Sequence, residues 1–267
     1  MDIDDVGDDP IGLAKEILRQ IGTPYGATPL KEIAYAIDIE EIRESDSISV
    51  EGALIAPEGK ASGSILLSTS KDERRTRFTL AHELGHYVHP LHNGNGNDDG
   101  FFMCSGKDMS TYFSKEMNHE DYIEFQANQF AAELILPTTH VAPYLNDISK
   151  ITTTSIVNLS DDFLTSREAT FRRISEKNKM PVAVFYIKDG EIRYFTKSNT
   201  FPFPSVWKGH AVPINSLTAQ VSLPNNTSSE ISSVNTSVWL SRKSNASLLE
   251  QTFKQENGYQ ITLLKLS

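Results

Sequence analysis

The chain has one cysteine, Cys104, in 267 residues, so no disulfide can form within it, and that usage fits a reducing compartment. It also lacks any run of about 18 apolar residues, the length a membrane-spanning helix needs. The opening MDIDDVGDDP is acidic and has neither the basic start nor the apolar stretch of a secretion signal. A cytoplasmic protein with no membrane partner is therefore expected. The triplets at Asn226, Asn235 and Asn245 that look like glycosylation acceptors then carry no meaning, because glycosylation needs the secretory route. Positive charge is scarce as well: 25 Lys and Arg stand against 35 Asp and Glu, a formal net charge of −10. Such a surface repels phosphate backbones, so direct nucleic-acid binding is disfavoured and open only to a local basic patch. No repeat of fixed period is present.

What remains is an ordinary globular composition, 39% apolar and 22% charged, in a chain long enough for one large domain or two to three small ones. Asp9 followed by Pro10 predicts a helix with Leu13, Ala14, Ile17, Leu18 and Ile21 at helical spacing. A second short helix is expected from Thr28-Pro29, then strands at 52–56 and 64–68. Ser70 and Glu73 read as a capping box that opens an amphipathic helix. That helix should stop near His89, because Pro90 disfavours helical geometry in the residue before it. Residues 92–100 read as a polar loop, and the segment to Asn118 shows no period. A long helix is expected from Asn118 to just before Pro137. Thr165 and Glu168 read as another capping box, so 151–178 reads as helix, turn, helix. After Met180, apolar and β-branched residues flank Asp189-Gly190, a hairpin signal, and NGYQITLLKL adds a final turn and strand. The expectation is an α+β fold in three parts: 1–150, a helical 151–178 and a β-rich 179–267.

The chemistry concentrates in TLAHELGHYVHP, residues 79–90. On a helix, residues four apart share one face, so His82 and His86 can aim ring nitrogens at one metal ion. Glu83, beside His82, can reach a water on that metal without being a ligand. This is the content of H-E-x-x-H: two zinc ligands and a general base. Catalytic zinc needs a third protein ligand and an open position. His92 has the H-E-x-x-H-x-x-G-x-x-H spacing, but His89 stands where that pattern needs glycine for a sharp turn. The preferred candidate is Glu124 on the long downstream helix. Asn128, one turn later, is suited to hydrogen-bond the far nitrogen of a ligand histidine and fix its tautomer.

RFTLAHELGHYVHP followed by EFQANQFAAELILP resembles the ImmA/IrrE family of metallopeptidases, and EGALIAPEGKASGSILLSTSKDERR fits the strand pair ahead of that family's zinc helix. FLTSREATFRRI is similar to the helix-turn-helix-like segment that follows it. The resemblance spans about residues 10–178. It implies a zincin-like peptidase domain over 1–150, with Zn2+ held by His82, His86 and Glu124 and with Glu83 as base. It also implies a protein substrate, a helix-turn-helix repressor of the XRE type, whose cleavage relieves repression under stress or in mobile elements. Two features depart from the family: a long insert between His86 and Glu124, and a divergent tail whose role reads as sensory or substrate-docking.

Other residues have plainer readings. His89, His119 and His140 read as capping or surface histidines, and Tyr112 and Tyr122 as candidate oxyanion donors that sequence cannot rank. Cys104 reads as a loop or core thiol near the site. Arg167, Arg172 and Arg173 are diluted by neighbouring acids, which favours a packing or docking helix over DNA contact. Phe201, Phe203 and Trp207 read as an apolar anchor or a pocket lining. The rival to a peptidase is a regulator without proteolytic activity, in which a structural zinc site supports binding of DNA or a partner protein. An intact Glu83 favours the enzyme, because a structural site has no use for a base.

Overall fold

The computed structural model describes residues 1–57, 59–69, 72–92, 101–104, 117–241 and 246–266. They form two compact units: Met1–His140 with Asp162–Thr165, and Val141–Asp161 with Ser166–Ser267. The architecture is mixed α+β, as expected from the sequence. Among the described residues no helix is long and apolar enough to cross a membrane.

The first unit opens with α1 (Pro10–Gln20), capped where expected: the Asp9 side chain accepts from the Ile11 N–H, and Pro10 takes the first turn. Then come α2 (Leu30–Ala36), β1 (Ile39–Ser45), β2 (Gly52–Ile55), β3 (Gly63–Ser68), α3 (Glu73–Val88), β4 (Phe101–Cys104) and α4 (His119–Ile135). The sheet runs β1-β3-β2-β4, with β1 parallel to β3 and the other pairings antiparallel. Strand β1 was not foreseen. Its IEEIRES sequence buries Ile39 and leaves its charged residues exposed or half-exposed, as an edge strand permits. Strand β4 likewise replaces the aperiodic segment expected around Cys104, and its register sets Cys104 opposite Gly52.

Helix α3 departs from expectation in two ways. Its cap is Asp72, whose side chain accepts from the Arg75 N–H; Ser70 lies outside the described residues. It is also not amphipathic: every residue from Thr79 to Tyr87 is buried. From Thr79 to Tyr87 the helix lies between the sheet, through β2 and β3, and α4, so that stretch leaves no face for water. Leu80 and Leu84 from α3 and Phe130 and Leu134 from α4 are at most 3% exposed. Each such side chain contributes about 1.5–3 kcal/mol of burial. Gly85 sets how closely the helices approach: a Cβ there would lie 3.1 Å from Phe130 Cδ1 and 3.2 Å from Ala127 Cα. Helix α4 begins at the expected Asn118 cap, whose side chain accepts from the Asp121 N–H.

In the second unit, α6 (Thr153–Asp162) and α7 (Arg167–Lys177) form the expected helix pair, preceded by α5 (Thr138–Leu145). The α7 cap is Ser166, one residue past the expected Thr165. Helix α7 packs on β5 (Val182–Lys188) and β6 (Glu191–Lys197). The β5–β6 turn puts Asp189 and Gly190 at φ 50° and 80°, the left-handed pair that an Asp-Gly hairpin turn supplies. After α8 (Leu217–Gln220) come β7 (Thr227–Ser228), β8 (Ser232–Val234), β9 (Leu248–Lys254) and β10 (Tyr259–Leu266). The antiparallel sheet runs β6-β5-β10-β9-β7, and β8 also pairs with β9. Phe185, Phe201, Trp239 and Leu264 belong to its core. Phe201 is thus an anchor, whereas Phe203 and Trp207 are exposed.

Candidate functional site

The last two turns of α3 hold His82, Glu83 and His86, all fully buried. Helix α4 brings Glu124 to them across the Gly85 contact. Glu124 Oε2 lies 3.1 Å from His82 Nε2 and 3.5 Å from His86 Nε2, and the two Nε2 atoms are 2.9 Å apart. These three residues are the group of potential metal donors found among the described residues, with one ligand atom of each within 4.8 Å of the others. A tetrahedral ion with bonds of about 2.0–2.1 Å would hold its ligand atoms roughly 3.3–3.4 Å apart, close to the spacings seen. The chemistry fits too: two imidazole nitrogens and a carboxylate converge, a donor set suited to zinc.

Electrostatics support the same arrangement. Burial pushes His86 down to about 4, so at neutral pH its ring is uncharged and has a lone pair to give. Burial alone would raise Glu124, yet the facing imidazoles outweigh it and hold the carboxyl well below the usual range. Glu124 keeps 14% of its side chain exposed, whereas both histidine side chains have none.

Around this cluster, His82 Nδ1 lies 3.0 Å from Asn128 Oδ1, the contact expected of a tautomer-fixing amide. Glu83 is not part of the donor group. Its carboxylate lies against β2 at Gly52, where a Cβ would come within 2.7 Å of Oε1. His92 is not in the group either: it sits behind His86, with Nδ1 3.2 Å from His86 Nδ1 and Nε2 3.2 Å from Gln126 Oε1. Its ring stacks on His89 at 3.9 Å, and His89 Nε2 is 2.9 Å from Asp8 O. His89 does end α3, as a buried cap rather than a surface residue.

Gln126 and Lys60 also touch this region, and no sequence pattern marks either. The Lys60 ammonium donates to the carbonyls of His86 and His89, 2.7 and 2.8 Å away, and so binds the C-terminal end of α3, where the helix dipole favours a cation. Burial lowers this lysine to about 8. No local signal in PEGKASG marks that role, because the contact spans 26 residues.

The remaining candidates lie elsewhere. His119 starts α4, His140 is on α5 with Nε2 3.3 Å from Thr23 O, and Tyr122 is 45% exposed. Tyr112 lies outside the described residues. In the second unit the Arg167 guanidinium sits 5.0 Å over the Phe253 ring and that of Arg172 5.3 Å over Tyr194, which is packing rather than a free basic patch.

Residues 46–175 match the model of the IrrE N-terminal-like domain, peptidase family M78. No curated protein matches the chain. Among solved structures, a Mycobacterium tuberculosis transcriptional regulator is similar over 97% of this chain and 76% of that one, with a TM-score of 0.54 and 13% identity. At that identity the likeness is one of fold. The matched span contains α3, α4 and all three converging donors, and the match supports a metallopeptidase of the ImmA/IrrE family.

Proposed function

We propose that the protein is a cytoplasmic zinc-dependent endopeptidase that cleaves a helix-turn-helix transcriptional repressor of the XRE type and so relieves repression. The observation that carries the reading is the convergence of His82, His86 and Glu124 inside a peptidase-family domain. The two-helix plan of α3 and α4 beside a small sheet supports a zincin-like domain. Zn2+ held there supplies a Lewis acid that activates water and polarises the scissile carbonyl.

The chain's own residues do the rest. His82 and His86 present Nε2, and Glu124 offers its carboxylate from α4. Asn128 accepts the His82 Nδ1–H, which fixes that ring's orientation. Glu83 takes the proton of the attacking water and returns it to the leaving amine. Gly52 leaves room for the Glu83 carboxylate against β2. The first unit would then hold catalysis, and the second would dock substrate or sense a signal.

The test is incubation of the zinc-loaded protein with purified helix-turn-helix repressors of the XRE type, followed by electrophoresis and mass spectrometry of the fragments. One or few cuts are expected, none with Glu83→Gln, and casein should stay intact. An uncut regulator, or casein degraded to many small peptides, contradicts the reading.

A further inference from the structure

A metal at this cluster needs a lone pair on Nε2 of both histidines, so each ring must carry its proton on Nδ1. For His82 the acceptor of that proton is Asn128 Oδ1. For His86 the facing atom is another ring nitrogen, His92 Nδ1, at 3.2 Å. Two facing nitrogens can share only one proton. The His86 Nδ1–H can donate only if His92 Nδ1 is bare, which moves the His92 proton to its Nε2. Gln126 Oε1 stands 3.2 Å from that Nε2 and is ready to accept it.

Resting on the reading that the cluster holds metal, we propose that Gln126 and His92 are positioning residues that form a relay holding His86 in its ligating tautomer. The direction of the relay is set throughout: His86 Nδ1–H donates to His92, and His92 Nε2–H donates to Gln126. The ring plane of His92 is held by the His89 stack, only 17° from parallel, and His92 itself is fully buried. Water therefore does not compete for either proton. Helix α4 thereby orients both histidines, His82 directly through Asn128 and His86 at one remove through Gln126. It also explains why His92 is buried so near the cluster without joining it.

The experiment measures zinc affinity by competition with a chromophoric chelator, and the His86 tautomer by NMR of the zinc-free protein with 15N-labelled histidine. Thermal melts of the zinc-free forms control for folding. His92→Phe fills the space without an acceptor and should weaken zinc binding about 10–100-fold, the range for lost outer partners of a ligand. In the same variant the His86 signal should move from the Nδ1–H form toward Nε2–H. Gln126→Leu should weaken binding in the same sense, and Gln126→Glu, which keeps an acceptor, should restore it. A folded His92→Phe with wild-type affinity and tautomer overturns the relay, as does equal loss in Gln126→Leu and Gln126→Glu. If His92→Phe does not fold, the Gln126 pair decides alone. A wild-type protein that holds no zinc overturns the metal reading and the relay together, which separates that failure from failure of the relay only.

Discussion

Gly52→Ala should separate the proposed base, Glu83, from the proposed metal ligands. A Cβ at Gly52 would lie 2.7 Å from Glu83 Oε1 and 2.5 Å from Thr79 Cγ2, whereas ordinary contact begins near 3.4 Å. The carboxylate must then retreat by about 0.7 Å, and the Thr79 methyl by about 0.9 Å. Thr79 is buried at 1% exposure and cannot swing into solvent, so the β2–α3 contact itself must open. Overpacking of this kind costs about 1–3 kcal/mol. A catalytic group displaced by up to 1 Å loses roughly 10–100-fold in rate. None of His82, His86 and Glu124 is among the atoms nearest the added methyl, so zinc should stay bound. Three measurements check this: zinc content after dialysis, the melting temperature, and turnover on a helix-turn-helix repressor compared with the wild type. Wild-type turnover in a folded, zinc-loaded Gly52→Ala protein would refute the placement of Glu83 as base. Loss of zinc without loss of fold would refute the separation of base from ligands.

Three further outcomes are expected. Glu83→Gln should keep zinc and lose proteolysis, because an amide can neither accept nor return the proton; zinc content and turnover in one preparation check it, and retained turnover counts against the assigned role. Glu124→Ala should lower zinc affinity more than His92→Ala does, since Glu124 faces both Nε2 atoms and His92 only the back of one ring; the reverse order in chelator competition contradicts the α3–α4 architecture of the site. In the second unit, Glu250 is fully buried and accepts from the N–H groups of Leu217 and Thr218, the Thr218 hydroxyl and the Trp239 indole. Glu250→Ala strands the two N–H groups and the indole at about 1–3 kcal/mol each, while the Thr218 hydroxyl keeps Thr252 and Thr262, so a loss of at least about 3 kcal/mol is expected in urea unfolding followed by tryptophan fluorescence, and a loss below about 1 kcal/mol is the contrary result.

Most helices and the hairpin turns were legible because their signals are local. Asp9-Pro10, Asn118 and Asp189-Gly190 act through hydrogen bonds or dihedrals within a few residues. The caps of α3 and α7 are Asp72 and Ser166, each within two positions of the residue the capping-box pattern indicates. Neighbouring Ser, Thr and Asp are near-equal as caps, so local chemistry cannot choose among them. Strand β1 was missed because edge strands tolerate charge, and β9 because Glu250 in a strand looks solvent-facing until α8 and Trp239 are brought over it.

By itself the sequence determined that His82 and His86 share a helical face, that Glu83 lies beside them, and that Glu124 and Asn128 share a face of a later helix. Those relations follow from a period of 3.6 residues and need no tertiary partner. Only the tertiary structure decided that Glu124 converges on the histidines, because that depends on how closely α3 and α4 pack at Gly85. The same holds for His92. Its spacing from His82 allowed a place among the donors, but the chain folds it behind His86, between the His89 ring and Gln126, where a ring nitrogen faces His86 Nδ1 rather than the donor cluster.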